Sequence, residues 1–173
     1  MKYVAFLRGI NVGGNVLIKM ADLKKLLEKA GLKEVKTVLA SGNVLFEFDG
    51  TANAAALVIM KSLAKAFNRD ILVIVRTLNA LRKLHESDPF RGISVTKNTR
   101  LYVTFLAEKP ITKLIATEQS GYRVLKVTDT EMLSHLEVKD GVQTPDLMKV
   151  IDNALGKKTT MRNWNTIEKL LIA

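Results

Sequence analysis

The amino-acid sequence predicts an α+β fold made of two similar subdomains, and two observations support this prediction. Short apolar runs typical of strands are interleaved with stretches in which apolar residues recur at helical spacing. The order strand, helix, strand, strand, helix, strand fills residues 2–76, and most of it begins again near residue 99. A chain of 173 residues, 47% of them hydrophobic, is long enough to give each subdomain a core.

The elements of the first subdomain follow from hydrophobic spacing and from residues that favour helix ends. Gly31 suits the end of the first helix, and Thr51 suits the N-cap of the second. The segment "SGN" at 41–43 joins two strands as a hairpin. The predicted elements are a strand at 2–7, a helix at 19–31, strands at 34–40 and 43–48, a helix that begins after Thr51, and a strand at 70–76. This order over residues 1–76 is the split βαβ, or ferredoxin-like, arrangement.

Residues 77–98 are predicted to connect the two subdomains through a short helix and a polar loop. Asp88-Pro89 ends the helix, because the residue before a proline is disfavoured in helical conformation. The preceding strand is apolar on both faces at 71–75, whereas a strand with one solvated face alternates. We therefore expect the rest of the chain to cover its second face or to extend the sheet.

The second subdomain, residues 99–173, is predicted to be a degenerate βαββα copy that lacks the last strand and ends in C-terminal helices. Thr144, Pro145 and Gly156 mark the start and end of one of these helices. Asn165 and Glu168 fit a capping box at the start of the last one. The predicted elements are a strand at 100–107, a helix at 111–119, strands at 122–127 and 130–138, and helices at 144–156 and near the C-terminal end.

The amino-acid composition bears on the partners that the protein could bind and on the cellular compartment expected for it. Lys and Arg total 27 against 17 Asp and Glu, a net charge of +10. Two interpretations of this excess remain open: a surface that attracts polyanions and a solvated surface that favours solubility. The chain has no cysteine, which fits a reducing compartment. The apolar stretch ended by Arg8 is too short for a signal peptide, so we expect a cytoplasmic protein without membrane contact.

The loop "FLRGINVGG", residues 6–14, is the main candidate for a binding site. In a split βαβ arrangement the first strand and the second strand end at the same edge of the sheet, so this loop and the "SGN" hairpin are expected to share that edge. The N-terminus of the first helix opens there too, and its free N–H groups suit a phosphate or carboxylate. The candidate ligand-binding residues are Arg8, Gly9, Asn11, Gly13, Gly14, Lys19, Ser41, Gly42 and Asn43, with Arg162 and Asn163 from "RNWN" as further candidates.

A structural interpretation of the same residues stays open. Glycines in such a loop supply positive φ values, and Asn11 and Asn43 are suited to closing turns through side-chain hydrogen bonds. Arg162 and Asn163 are also suited to tying the C-terminal segment to the first subdomain. The loop matches neither a dinucleotide-binding glycine motif nor a phosphate-binding P-loop.

No catalytic or metal-binding pattern is recognised. His85 and His135 have no partners at metal-ligand spacing, and Ser41 has no nearby base in the sequence. The sequence therefore leaves enzyme activity, cofactor and oligomeric state undetermined. The aromatic stacking pattern of RNA-recognition domains is missing, because Asn43 and Leu45 stand at the stacking positions.

Three motifs, "AFLRGINVGG", "SGNVLFEF" and "TTMRNWNTIEKL", together resemble those of the bacterial family known as domain of unknown function 1697. Lys19-Met20 match the Lys-Met that follows the first motif in that family. The resemblance extends from Tyr3 to about Leu171 and implies a two-part α+β fold with ferredoxin-like halves. It implies no activity, substrate or catalytic residue.

Three functions remain as hypotheses. The first is the binding of a small anionic ligand at the edge formed by the first loop and the hairpin. The second is charge-driven binding of nucleic acid without a stacking motif. The third is a protein–protein adaptor without small-molecule chemistry, in which the Gly/Asn motifs only hold the two subdomains together.

Overall fold

In the computed structural model of the chain, residues 1–12, 17–110, 121–138 and 147–173 are described. These residues form two compact units, one made of Met1–Glu86 with Glu168–Ala173 and the other of Ser87–Ile167. The strands are β1 (Lys2–Leu7), β2 (Lys33–Val38), β3 (Asn43–Glu47), β4 (Val73–Thr77), β5 (Thr99–Leu106), β6 (Tyr122–Val127), β7 (Glu131–Glu137) and β8 (Thr159–Asn163). The helices are α1 (Met20–Lys29), α2 (Ala52–Phe67), α3 (Leu78–Glu86), α4 (Leu147–Leu155) and α5 (Trp164–Leu171).

The first unit is a four-stranded antiparallel sheet with the strand order β2-β3-β1-β4. Helix α1 contacts β2, α2 contacts β4, and the two helices contact each other. Alternate strand residues such as Ala5 and Leu7 form the core of this unit with Leu23 and Ile59 of the helices. The core thus lies between the sheet and the apolar stripes of α1 and α2, as the helical spacing predicts.

The second face of this sheet is also covered. Val4 and Ile74 point away from the α1 and α2 side, since their neighbours in the strands face it, and both are buried. Helix α3 contacts β1 and β4. Both faces of β4 are therefore buried, which explains why its sequence is apolar without alternation.

The second unit contains a four-stranded antiparallel sheet with the order β6-β7-β5-β8. The prediction that this half lacks its last strand was wrong, because Thr159–Asn163 form β8 and pair with β5 along Tyr102–Leu106. The segment "TTMRN" has no apolar alternation, so its sequence carries no strand signal. Thr159, Thr160 and Arg162 are nonetheless buried, and this burial comes from their tertiary neighbours.

The edge strands of the two sheets share an irregularity. The pairing of β2 with β3 shifts register between Lys33 and Lys36, and that of β6 with β7 shifts between Val124 and Lys126. Each shift adds one residue on the edge strand, which is the signature of a β-bulge. Bulges twist an edge and disfavour pairing with another chain.

The helix caps agree with the sequence at three positions and differ at one, and Gly31 follows the C-cap of α1 with φ +94°. The Thr51 hydroxyl accepts a hydrogen bond from the Ala54 N–H at 3.2 Å, and Gly156 follows α4 with φ +75°. Helix α5 begins at Trp164, so Asn163 is its N-cap and its Oδ1 accepts from the Asn165 N–H at 3.1 Å. The predicted capping box at Asn165 was therefore wrong. The predicted helix at 111–119 and the predicted cap at Thr144-Pro145 lie outside the described residues.

Candidate functional site

The loop after β1 and the β2–β3 hairpin meet at one edge of the first sheet, as the topology predicts. The Leu7 N–H donates to the Gly42 carbonyl at 2.8 Å. The next residue, Arg8, is half-buried, and its N–H donates to the Leu72 carbonyl just before β4 at 2.9 Å. The backbone at Arg8 is therefore fixed between the hairpin and the start of β4. We call this region, built by Arg8–Asn11, Ile18–Lys19 and Leu39–Asn43, the loop–hairpin edge.

Asn11 organises the loop–hairpin edge through three hydrogen bonds. Its Nδ2 donates to the Ala40 carbonyl at 2.8 Å and to the Ile18 carbonyl at 2.9 Å. Its Oδ1 accepts from the Ile18 N–H at 2.8 Å. Its φ of +55° lies in the left-handed region, which Asn tolerates better than most residues. One amide thus holds the hairpin, the loop and the approach to α1 together.

Asn43 has a comparable role inside the hairpin. It is the first residue of β3 and its side chain is fully buried. Its Nδ2 donates to the Val38 carbonyl at 2.9 Å and to the Ser41 hydroxyl at 3.1 Å. These bonds tie the turn to the ends of both strands, so this amide supports the hairpin rather than facing solvent.

Gly42 is required by close packing at this edge. Its φ is +80°, and a Cβ there would lie 2.8 Å from Ile10 Cδ1 and 2.9 Å from Leu7 Cβ. Ile10 is buried, with 1% of its surface exposed. Ile10 was missed in the sequence, where it is one of two apolar residues, with Val12, in the Gly/Asn-rich segment 8–14.

The N-terminus of α1 opens at the same edge. Lys19 occupies the N-cap position, and its side chain makes no capping hydrogen bond among the described residues. Its carbonyl accepts from the Asp22 and Leu23 N–H groups at 3.0 Å. The first-turn N–H groups and the exposed Lys19 create a positive end, which the carboxylate of Asp22 in the first turn partly offsets.

The remaining candidate residues lie elsewhere or outside the described residues. Gly13 and Gly14 belong to the stretch 13–16, which is not described. Arg162 and Asn163 belong to the second unit, where Asn163 caps α5. Arg162 is buried in β8 and donates from Nη1 to the Thr160 hydroxyl and to the Met161 carbonyl, both at 2.8 Å.

Burial has a clear electrostatic effect on Arg162. Only 7% of its surface is exposed, and desolvation lowers the pKa of its guanidinium to about 10. The hydrogen bonds to neighbouring oxygens satisfy part of the guanidinium but supply no negative charge. The arrangement suits a structural arginine within a sheet.

Metal sites and membrane-spanning helices are two further features for which the residues of a protein can be examined by geometry and composition. Among the described residues, no group of three or more His, Cys, Asp or Glu side chains is placed to hold a metal ion. In the same part of the chain, no helix combines the length and the apolar character needed to cross a membrane.

The fold and the edge define a two-unit α+β protein with two four-stranded antiparallel sheets and a loop–hairpin edge held by asparagine side chains. The chain belongs to the family described as "Protein of unknown function (DUF1697)", whose model matches residues 1–132. That range includes the first two motifs and ends before "TTMRNWNTIEKL".

Two further comparisons concern curated sequences and solved structures. A search of curated protein sequences found no significant match. Among solved structures, the chain is similar to the conserved bacterial protein SP0830 from Streptococcus pneumoniae, with 17% sequence identity and a TM-score of 0.70. The alignment covers 99% of this chain and 97% of that chain. At this level of identity the likeness concerns the fold alone.

Proposed function

We propose that the protein binds a small ligand bearing a phosphate or carboxylate group at the loop–hairpin edge. The observation that carries the proposal is the N-terminus of α1, which carries Lys19 at the N-cap position and has no side-chain cap among the described residues. An anion at such a helix end is stabilised by the N–H groups and by the helix dipole. Arg8 lies at the same edge and adds a second cationic side chain.

The hydrogen bonds of Asn11 and Asn43 bear on which residues are proposed to contact the ligand. The amides of Asn11 and Asn43 are occupied by the loop and the hairpin, so they act as the framework. The residues proposed to contact the anion are Arg8, Lys19 and Ser41, with backbone N–H groups of the first turn of α1.

The affinity for a simple ion is expected to be low. A helix terminus contributes about 0.3–1 kcal/mol and a charge-assisted hydrogen bond about 1.5–3 kcal/mol. Their sum is about 2–4 kcal/mol, and its upper limit corresponds to a millimolar dissociation constant. A biological ligand that binds more tightly therefore needs further contacts beyond its anionic group.

The proposal is tested by titrating the protein with inorganic phosphate and sulfate while backbone amide shifts are followed by NMR. We expect shifts in the first turn of α1, near Arg8 and at Ser41. Lys19→Gln should weaken phosphate binding several-fold, whereas Lys29→Gln, in the last turn of the same helix, should leave it unchanged. Asp22→Asn should strengthen binding, because it removes a competing negative charge. Equal losses in the Lys19 and Lys29 variants, or the absence of shifts at this edge, would refute the proposal.

The same titration separates this function from its two alternatives. Nucleic-acid binding driven by the +10 charge predicts a linear fall of log affinity with log salt, and equal effects of Lys19→Gln and Lys29→Gln. An adaptor role predicts no small-anion binding. In that case Asn11→Ala should lower stability without changing any ligand response.

We also infer that each unit is a ferredoxin-like unit and that the two arose from one architecture. The corresponding strand orders β2-β3-β1-β4 and β6-β7-β5-β8 support this inference. The bulge on the edge strand of each sheet supports it too. The helix predicted from the sequence at 111–119 lies outside the described residues, and an experimental structure that shows it against β6 and β7 would support the inference.

A further inference from the structure

A groove on the first unit shares no lining residue with the loop–hairpin edge. Its volume is about 380 Å³, within the usual range of about 300–1,000 Å³ for small-molecule sites. Its lining comes from β1, β2 and β3, from α3 and from the C-terminal residues Leu170, Leu171 and Ala173. All of these belong to the first unit. We call it the second-face groove.

The strand register places the second-face groove opposite α1 and α2. Leu45 lines the groove and is paired with Val4 on one side and Lys36 on the other. Its chain neighbours Val44 and Phe46 face the core with α1 and α2. Since successive strand residues point to opposite faces, Leu45 and Lys36 project from the other face.

Four leucines make up the apolar part of the groove lining. Leu78 of α3 and Leu170 of α5 are buried, and Leu45 and Leu171 are half-buried. Leucines at these four positions provide a surface for an aliphatic or aromatic group. Covering the half-exposed ones would stabilise a bound ligand by removing apolar surface from water.

Charged side chains line the rim of the groove. Lys2, Lys36 and Arg82 lie there beside the acidic side chains of Glu34 and Glu47, and Ala173 lines the groove too. Lys2 and Glu47 lie 3.8 Å apart as an exposed pair. The Lys36 ammonium donates a hydrogen bond to the main-chain oxygen of Ala173. Lys36 is therefore already oriented toward an oxygen acceptor at the groove.

A strained bulge in β2 lies beside the charged rim. Lys33 is paired with Glu47 and Lys36 with Leu45, so three steps on β2 match two steps on β3. Without the bulge, Lys33 and Lys36 would project from opposite faces of the sheet. Glu34, within this bulge, has φ +51°, a conformation that costs a non-glycine residue free energy. Such strain is frequent where a structure re-aims side chains at a site.

We propose that the second-face groove binds a small organic monoanion with an apolar body, such as a carboxylic acid with an aliphatic or aromatic chain. The apolar body lies on the four leucines, and the anionic group lies between Lys36 and Arg82. This site is separate from the anion site of the loop–hairpin edge and does not depend on it.

Octanoate is a suitable probe, with octanol as a neutral control of the same chain length. Methyl NMR of the full chain, with assigned leucine signals, reports binding. We expect octanoate to shift the methyl signals of Leu45, Leu78, Leu170 and Leu171, and octanol to bind more weakly. The double variant Lys36→Gln/Arg82→Gln should reduce octanoate affinity about tenfold, or about 1.4 kcal/mol. Lys83→Gln, an exposed change on α3 outside the groove, should leave affinity unchanged.

A second variant keeps the proposal testable if the double variant Lys36→Gln/Arg82→Gln fails to fold. Leu45→Trp fills the groove from one strand and should abolish octanoate binding while amide spectra of the sheet remain dispersed. Lys19→Gln should leave octanoate binding intact, so failure at the loop–hairpin edge is distinguishable from failure here. The proposal is overturned by equal binding of octanol and octanoate, by shifts confined to other leucines, or by unchanged affinity in both groove variants.

Discussion

Gly9 and Gly42 share a left-handed backbone but have different surroundings. Gly9 has φ +68° and open space where a Cβ would be placed. Gly42 has φ +80°, and its missing Cβ would meet Leu7 and Ile10 at less than 3.0 Å. Alanine substitutions at these two positions therefore measure separately the free-energy cost of a positive φ and the free-energy cost of a steric clash.

Gly42→Ala is expected to lower the free energy of unfolding by about 2–4 kcal/mol, since strain and overpacking add. Gly9→Ala should cost about 1 kcal/mol, from backbone strain alone. Denaturant unfolding of both variants measures the difference. Equal losses would show that the contact between the hairpin and Ile10 contributes nothing to stability.

Arg162 predicts a dependence of stability on pH. Burial lowers its pKa to about 10 in the folded protein, well below the pKa of an arginine in the unfolded chain, so above pH about 10 the unfolded chain binds more protons than the folded one. The free energy of unfolding then rises with pH across this window, because the cost of burying the cation disappears as it deprotonates. Below pH about 10 both states hold the proton and this contribution is constant.

The measurement compares wild type with Arg162→Met by denaturant unfolding from pH about 9 to about 11, so that titration of other groups cancels. The wild type should gain stability relative to the variant as pH rises. A constant or falling difference would mean that the guanidinium is not desolvated as its burial indicates.

At the scale of the elements, helices and apolar strands were predictable from local sequence, and β8 was not. Strand β1 has the predicted bounds, and β3 and β4 differ by a few residues at their ends. Strand β8 reads "TTMRN" and became a strand through pairing with β5. Such pairing depends on a partner far away in the chain, so local periodicity does not report it.

The start of α5 provides a prediction at this scale. Asn163→Ala should lower the free energy of unfolding by about 1 kcal/mol, because it removes the side-chain acceptor at the N-cap. Asn165 is exposed and contributes only its backbone N–H to the hydrogen bond with Asn163. Asn165→Ala should therefore change the free energy of unfolding by less than about 0.5 kcal/mol. Thermal and denaturant unfolding measure both. A larger loss in the Asn165 variant would restore the capping box predicted from the sequence.

At the scale of the whole molecule, the first unit is discontinuous in sequence. Residues Met1–Glu86 are completed by Glu168–Ala173, so the chain returns to its first unit at the end of α5. Leu170 is buried, with 1% of its surface exposed. The last residues are thus part of the first unit and line its second-face groove.

Leu170→Ala is expected to destabilise the protein by about 2–4 kcal/mol, as for other buried leucines. Amide hydrogen exchange should show that the loss of protection is greatest in the first unit, especially in β1 and β3. Ile172→Ala, at a residue 87% exposed, is the matched control and should have little effect. Loss of protection confined to β6 and β7 would contradict the assignment of the C-terminal residues to the first unit.

The candidate site was predictable in position but not in detail. The order of strands alone places the first loop beside the hairpin, and Leu7 and Gly42 are hydrogen-bonded there. The amides of Asn11 and Asn43 donate hydrogen bonds to backbone carbonyls whose positions depend on the geometry of the turns. The sequence alone could not show that both amides have partners within the protein. The second-face groove was missed because its lining comes from separate segments that share no motif.

The amino-acid sequence by itself determined the α+β class, most helices and strands, the family resemblance and the loop–hairpin edge. These features follow from local periodicity, helix-capping residues and the topology of a split βαβ unit. Only the tertiary structure decided that β8 completes the second sheet, that Asn163 caps α5 and that the C-terminal residues join the first unit. These features depend on contacts between residues far apart in the chain. A local sequence pattern carries no information about the free energy of such contacts.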